Sequence, residues 1–229
     1  MGTTVRVSEV FRSLQGEGPS AGTPAVFVRL QGCSVGCRWC DTKYSWDAAG
    51  GRAIERDELW AEAARAPGAA GSGSCEAPLL VITGGEPLEH AGLLELIAAG
   101  LERFARVEVE TSGVAPPPLS HPRLFYNLSP KLPSATPLAA ATWAHARAWI
   151  AEPRATFKLV VGDEADLAHA LERIAEHGVP RARVMLMPEA MTAKILRERS
   201  LWLAAVCARE GLRLSPRLHI WLWGARRGV

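Results

Sequence analysis

The chain has 229 residues, 48% hydrophobic and 22% charged, which excludes a disordered tail or linker, because a sequence this apolar collapses around a core. At this length about 70 to 75% of the unfolded surface is buried on folding, which suits one α/β domain over 1–229 better than two small ones. Lys and Arg outnumber Asp and Glu by only 26 to 24, so the basic excess of a protein that grips phosphates is missing and no nucleic-acid partner is expected. The longest apolar run, Leu201–Ala208, falls far short of the about 20 residues that span a bilayer, and the opening MGTTVRVSEVF has no signal-like apolar stretch. No membrane partner and a cytoplasmic location are the expectation.

In chain order, the first element is a strand at Ala25–Gln31, which runs into a cysteine-bearing loop at 32–47. A helix at Arg56–Arg65 is followed by PGAAGSGSCEAP, residues 67–78, whose Gly, Ser and Ala content reads as a flexible surface connection with Cys75 an incidental thiol. Next come a strand at Leu79–Thr83, a helix at Ala91–Phe104 and a strand at Val107–Glu110. The segment 115–137 holds seven of the 16 prolines and cannot stay helical for long, but Leu124–Leu128 within it reads as a strand. Strand Thr156–Val161, helix Ala165–His177, strand Val184–Met187 and helix Met191–Glu210 complete the pattern, with a last strand expected near His219.

Strands alternating with helices predict a mainly parallel sheet, and about six parallel strands are too few for a closed eight-stranded barrel. The expected fold class is therefore α/β, an incomplete (partial) TIM-type barrel. Its strands end in QGC, TGGEP, ETSG, LSPK and MPE. In parallel α/β folds ligands bind at those carboxyl ends.

Five cysteines form an odd set: Cys33, Cys37 and Cys40 fall within eight residues, whereas Cys75 and Cys207 stand alone. In a cytosolic protein such clustering points to metal or redox chemistry before disulfides. A structural zinc site needs four protein ligands, which here would mean recruiting Cys75 or a histidine. Three thiolates suit an iron-sulfur cluster with one iron left open to an exogenous ligand.

The C-x3-C-x2-C spacing, with Trp39 before the last cysteine and GGEP at Gly84–Pro87, resembles the radical S-adenosylmethionine (SAM) enzymes. The resemblance implies that Cys33, Cys37 and Cys40 hold a 4Fe-4S cluster and that SAM chelates its open iron. It implies SAM contacts from Trp39, Cys40 and Asp41, and from Gly84, Gly85 and Glu86, where glycines permit close backbone approach. Glu110, Ser112, Ser129, Pro130 and Lys131 at the next strand ends would meet ribose and methionine. Met187, Pro188, Glu189 and Ala190 would pack near adenine.

Phe11–Gly18 (FRSLQGEG), the CDT at Cys40–Thr42 and the WD at Trp46–Asp47 narrow the resemblance to the 7-carboxy-7-deazaguanine synthases. The match is scattered from Val10 to Pro188. It implies a homodimer, an external reductant of flavodoxin or ferredoxin type, and radical ring contraction of 6-carboxy-5,6,7,8-tetrahydropterin with loss of ammonia, SAM being regenerated. A glycyl-radical activase would be the enzyme alternative, and a zinc or electron-carrying protein the non-enzyme one.

For such a pterin, Leu14, Gln15, Gly16 and Glu17 supply donors and acceptors to the amide and guanidine-like edge, and Arg29 offers a bidentate fork to the carboxylate. A surface Glu17–Arg29 ion pair is the bland alternative. Thr83 would face the substrate, as would His219, which could instead be a satisfied core residue. Thr42 matches the family position whose hydroxyl holds Mg2+ together with substrate oxygens and waters. The tail RLHIWLWGARRGV departs from members that place a chain-terminal carboxylate against the pterin, being longer and more basic; its Trp221 and Trp223 could equally form a dimer face.

Overall fold

The structure, a computed structural model, describes residues 4–66 and 78–229; the connection expected at 67–78, with Cys75, lies outside these except for Pro78. The described residues form one nine-stranded sheet. In chain order its strands are β1 (Thr4–Leu14), β2 (Pro24–Leu30), β3 (Arg52–Glu55), β4 (Leu79–Gly84), β5 (Arg106–Thr111), β6 (Leu124–Leu128), β7 (Ala155–Val161), β8 (Val184–Pro188) and β9 (Arg213–Leu214). The helices are α1 (Arg56–Arg65), α2 (Leu93–Arg103), α3 (Ala139–Trp143), α4 (Ala146–Ala151), α5 (Glu164–His177), α6 (Ala193–Glu210) and α7 (Leu218–Trp223). Strand order is β3-β1-β2-β4-β5-β6-β7-β8-β9. From β2 onward every pairing is parallel, whereas β1 runs antiparallel to both β2 and β3.

The side-chain alternation of the parallel strands divides the molecule into two chemistries. Leu80 and Ile82, Val107 and Val109, Leu124 and Tyr126, Phe157 and Leu159, and Val184 and Leu186 all join the main hydrophobic core beneath the helices. On the opposite side Thr83, Glu108, Glu110, Asn127 and Lys158 are polar and mostly buried, beside a small second apolar cluster of Phe11, Ala25, Phe27, Leu79 and Val81. The sheet thus has an oily face packed by helices and a polar face that carries the chemistry.

All six expected strands form; the helices α3, α4 and α7 were not foreseen, and neither were three strands at the margins of the sheet. In β1, Val5 and Val7 face the main core; the register then shifts between Val7 and Glu9, which moves the core-facing position to Val10, while Phe11 is buried in a smaller apolar cluster on the other face. This bulge breaks the period of two that marks a strand in sequence. The other two, β3 and β9, are four and two residues long and borrow their order from β1 and β8.

Two helix starts are corrected. Expected at Ala91, α2 begins at Leu93 behind Gly92, and α6, expected at Met191, begins at Ala193 because the Thr192 side chain caps Ile195 N. His219 lies in the first turn of α7, not in a strand, since Leu218 N donates to Gly16 O and Trp221 N to Arg217 O. No helix among the described residues is long and apolar enough to cross a membrane.

Candidate functional site

A cavity of about 490 Å³ opens at the carboxyl ends of the parallel strands, where the polar face of the sheet meets the cysteine loop. The loop is held from several sides. Gly32 N donates to Ser45 O, Cys33 N to Trp46 O and Arg38 N to Ala135 O. Gln31 at the end of β2 spans the loop base, its side-chain amide donating to the carbonyls of Tyr44 and Asp47 at 3.1 and 2.8 Å.

Cys33, Cys37 and Cys40 are all free thiols and all face the cavity. Burial pushes the Cys33 thiol up, and the backbone amides of Gly36 and Val35 pull it back only in part. Cys37 is likewise raised by burial against the nearby Lys131 charge. Three thiolates here lack a full complement of positive charge, which a metal centre would supply, so the donor set fits a thiolate-bound cluster. Among the described residues no three Cys, His, Asp or Glu side chains close on a single ion, as a zinc site would require. Thr42 stays beside the cluster loop, with its Oγ1 3.4 Å from Cys40 Sγ.

The GGEP turn owes its glycines to the neighbouring strand. At Gly84 φ is +134°, and a Cβ there would strike the Leu30 backbone; a Cβ on Gly85 would run into Gly32 O. The same approach lets Gly85 N donate to Leu30 O and Glu86 N to Gly32 O, stitching the turn to the cysteine loop. Glu86, 2% exposed, accepts from Thr111 Oγ1, from Ser112 N and Oγ, and from Leu88 N. Its carboxylate therefore locks the ends of β4 and β5 together. Further round, Lys131 donates to Ser129 Oγ at 3.1 Å and lies over the Trp39 ring.

Opposite the cysteines is a buried charge network. Glu17 accepts from Lys158 Nζ on β7 and, at 3.1 Å, from Arg217 Nε. Arg217 also reaches Asp41 beside the last cysteine and the carbonyl of Ala190. Burial alone would raise the Glu17 carboxyl, but the charges of Lys158 and Arg217 hold it far below the ordinary range. His219 packs on Gly16 so closely that a Cβ there would collide with its ring, and burial lowers its pKa despite Glu17 at 3.8 Å. It is therefore neutral at pH 7.

Gln15, 2% exposed, spends its whole amide within the protein: Nε2 donates to Glu108 and Glu110, and Oε1 accepts from Glu17 N. Thr83 Oγ1 donates to Glu110 at 2.7 Å. Arg29 bonds Glu9 through Nε at 2.7 Å, not Glu17, which removes the alternative of a surface Glu17–Arg29 pair. Among the described residues its two terminal nitrogens have no protein acceptor.

The structure brings together on one cavity Leu14 to Glu17, Arg29, the three cysteines, Trp39, Asp41, Thr42, Thr83 to Glu86, Glu110, Ser112, Ser129, Lys131, Met187 and His219. Pro130, Pro188, Glu189 and Ala190 do not line it, and Glu189 instead pairs with Arg199. Among the side chains that line or brace the cavity, Lys158, Glu9, Tyr44 and Arg217 were missed. Lys158 is a lone cation within the apolar strand ATFKLVV, which is itself a signal that a buried anion awaits it. For Glu9, Tyr44 and Arg217 the sequence holds no such mark.

No family model matches the chain. Relatives do. It is 44% identical to the 7-carboxy-7-deazaguanine synthase of Pyrobaculum aerophilum over 98% of this chain and 97% of that one. To the synthase of Hyperthermus butylicus it is 39% identical over 96% and 93%. Among solved structures, QueE from Escherichia coli superposes with a TM-score of 0.64 at 28% identity, covering 93% of each chain. Streptococcus suis SuiB bound to its precursor peptide shares the fold alone, with a TM-score of 0.51 at 12% identity over 80% of this chain and 46% of the other.

A parallel sheet whose strand ends gather C-x3-C-x2-C and GGEP on one cavity is the arrangement of a radical SAM enzyme, a class that implies SAM and a 4Fe-4S cluster. Within that class the relatives are specific over nearly the whole length. The chain belongs to the 7-carboxy-7-deazaguanine synthase family.

Proposed function

We propose that the protein converts 6-carboxy-5,6,7,8-tetrahydropterin to 7-carboxy-7-deazaguanine with loss of ammonia, with SAM as a regenerated cofactor. The observation that carries this reading is the two-sided cavity: three free cysteines on one wall, and an unspent Arg29 fork with the Glu17 network on the other. When bound, the cluster and SAM supply the radical chemistry. The chain's own residues bind, orient and exclude water.

Arg29 reads the substrate carboxylate with its two free nitrogens. Glu17 keeps lone pairs beyond those taken by Lys158 and Arg217, enough for an N–H of the guanidine-like edge, and neutral His219 adds one donor or acceptor beside it. Gln15 acts by fixing the Leu14–Gly16 backbone. Trp39, Asp41, the Gly84–Gly85 backbone, Ser112, Ser129, Lys131 and Met187 enclose SAM, while Glu86 and Glu110 hold the strand ends that present them. Thr42 supplies one oxygen of a Mg2+ site that substrate completes.

A barrel-like curl of the sheet supports the fold side of this reading. In a flat sheet β1 and β7 would be about 24 Å apart at roughly 4.8 Å per step. Glu17, just past β1, nevertheless meets Lys158 on β7. We read the sheet as an incomplete barrel closed by the site itself.

A homodimer, an external flavodoxin- or ferredoxin-type reductant and a cytoplasmic location belong to the same reading. Exposed Leu201, Trp221 and Leu222 near a groove between α6 and α7 are where a second copy would seat. Sedimentation of the purified protein tests this, a monomer at micromolar concentration counting against it.

The deciding experiment incubates reduced, reconstituted enzyme with SAM, Mg2+ and the carboxytetrahydropterin under anaerobic conditions. Formation of 7-carboxy-7-deazaguanine is expected. Release of 5′-deoxyadenosine with no deazaguanine product would refute the assignment.

A further inference from the structure

The C-terminal residues 225–229 line the same cavity as the cysteines, and one side chain fastens them. Arg227 donates through Nε to Glu9 Oε2 at 3.2 Å, and its guanidinium lies 4.1 Å from the centre of the Tyr44 ring. Glu9 Oε1 in turn accepts from Arg29 Nε at 2.7 Å and from Tyr44 Oη at 2.6 Å. One carboxylate thus joins the tail, the cysteine loop and the Arg29 fork. Glu9 and Arg29 are nearly covered, with side chains 13% and 15% exposed, while Arg227 is 56% exposed.

The geometry divides labour. With Nε committed to Glu9, and with Phe11 at 5.8 Å on one side, the Arg29 guanidinium keeps only its two terminal nitrogens for a ligand. Its direction depends on where Glu9 points. Glu9 has two oxygens, one held by Arg29 and Tyr44 and the other by Arg227, so loss of Arg227 frees the carboxylate to turn about its own axis. Phe11, Arg29, Tyr44 and Arg227 all border the cavity.

We propose that Arg227 is a positioning residue for substrate recognition: it straps the tail across the cavity mouth and, through Glu9, aims Arg29 at the substrate carboxylate. This deepens the assignment above and rests on Arg29 being the carboxylate's partner. Arg227 itself does not touch substrate. Its contribution is specific to ligands that carry the carboxylate, which separates it from a tail that only buries surface.

The test uses reconstituted holoenzyme with SAM and Mg2+. It compares R227Q, R227K and R29Q by KM and kcat for the carboxytetrahydropterin, and by the inhibition constant of the same pterin without its carboxylate. An exposed ion pair plus a stacked cation is worth about 1 kcal/mol, so R227Q is expected to raise KM by about fivefold. Unchanged kcat, an unaltered inhibition constant for the decarboxy analogue and partial rescue by R227K complete the expectation. Equal weakening of both pterins in R227Q, with R29Q weakening only the carboxylated one, would overturn the proposal and leave the Arg29 assignment standing. Equal weakening of both pterins in R29Q as well would remove the Arg29 assignment and the proposal together.

Discussion

Replacing Lys158 by Met is the sharpest test of the charge network. The Lys158 and Glu17 side chains are 5% and 14% exposed, so the substitution leaves a carboxylate that water scarcely reaches. Removing one partner of a buried pair costs about 3 to 5 kcal/mol, mainly because the remaining charge is stranded. Here Arg217 still holds the other oxygen at 3.1 Å, which places the expected loss near the bottom of that range, about 3 kcal/mol. For a chain of this size 1 kcal/mol shifts Tm by about 2 to 4 °C, so K158M should melt roughly 6 to 12 °C below the parent. Thermal unfolding of the apo protein at pH 7.5, followed by circular dichroism, reads this directly. The double variant E17Q/K158M should recover part of the loss, because the stranded charge is gone. A shift of less than about 3 °C in K158M, or a double variant as unstable as the sum of the singles, would refute the buried-pair reasoning.

Three further outcomes follow from the site. Because burial lowers the His219 pKa below its unfolded value of about 6.5, the unfolded chain binds the extra proton first; stability conferred by neutral His219 is complete above pH 6.5 and declines as pH falls below it. H219Q should therefore show a flatter dependence of Tm on pH between 7 and 5 than the parent; parallel profiles would count against a depressed pKa. In C37A the broad absorbance near roughly 400 nm of thiolate-bound iron-sulfur should disappear along with most iron and sulfide, and retention of both would take Cys37 out of the ligand set. G85A forces a Cβ into Gly32 O, so several kcal/mol of stability should go, visible as a lower urea midpoint; a midpoint within error of the parent would mean that the GGEP turn can shift away from β2.

The helix-facing half of the fold was open to reading from sequence because it obeys one rule. Leu80 and Ile82 sit in an apolar run, Val107 and Val109 alternate with glutamates, and Phe157 and Leu159 lead into another apolar run, each pattern enough to declare a strand, while helices with caps such as Asp163 and Thr192 follow the later strands. Strand β1 hid because its bulge switches the core-facing phase from Val5 and Val7 to Val10 in mid-strand, and β3 and β9 because their order is lent by neighbours. The cysteine cluster and the GGEP turn were each visible because the residues of each motif sit within a few positions of one another. Glu17, Lys158, Arg217 and Asp41 were not visible as a group, since a charge in sequence carries no sign of its partner when the two are 141 or 200 residues apart. A comparable separation, 218 residues, concealed the return of the basic tail to the cavity through Arg227, and even the 20 residues between Arg29 and Glu9 left their pairing unmarked.

Those long separations have a consequence for how the molecule is made. Closing loops of 141 and 200 residues carries an entropic penalty that nearby contacts do not share, so the Glu17 network is expected to form after the local βα units have assembled. Interactions that arise late contribute little to the folding barrier and mostly slow unfolding. The network would then act as a clasp on the finished protein: weakening it should leave the refolding rate nearly unchanged and shorten the lifetime of the folded state, with the cysteine loop, tied in through Asp41, among the first parts to be released.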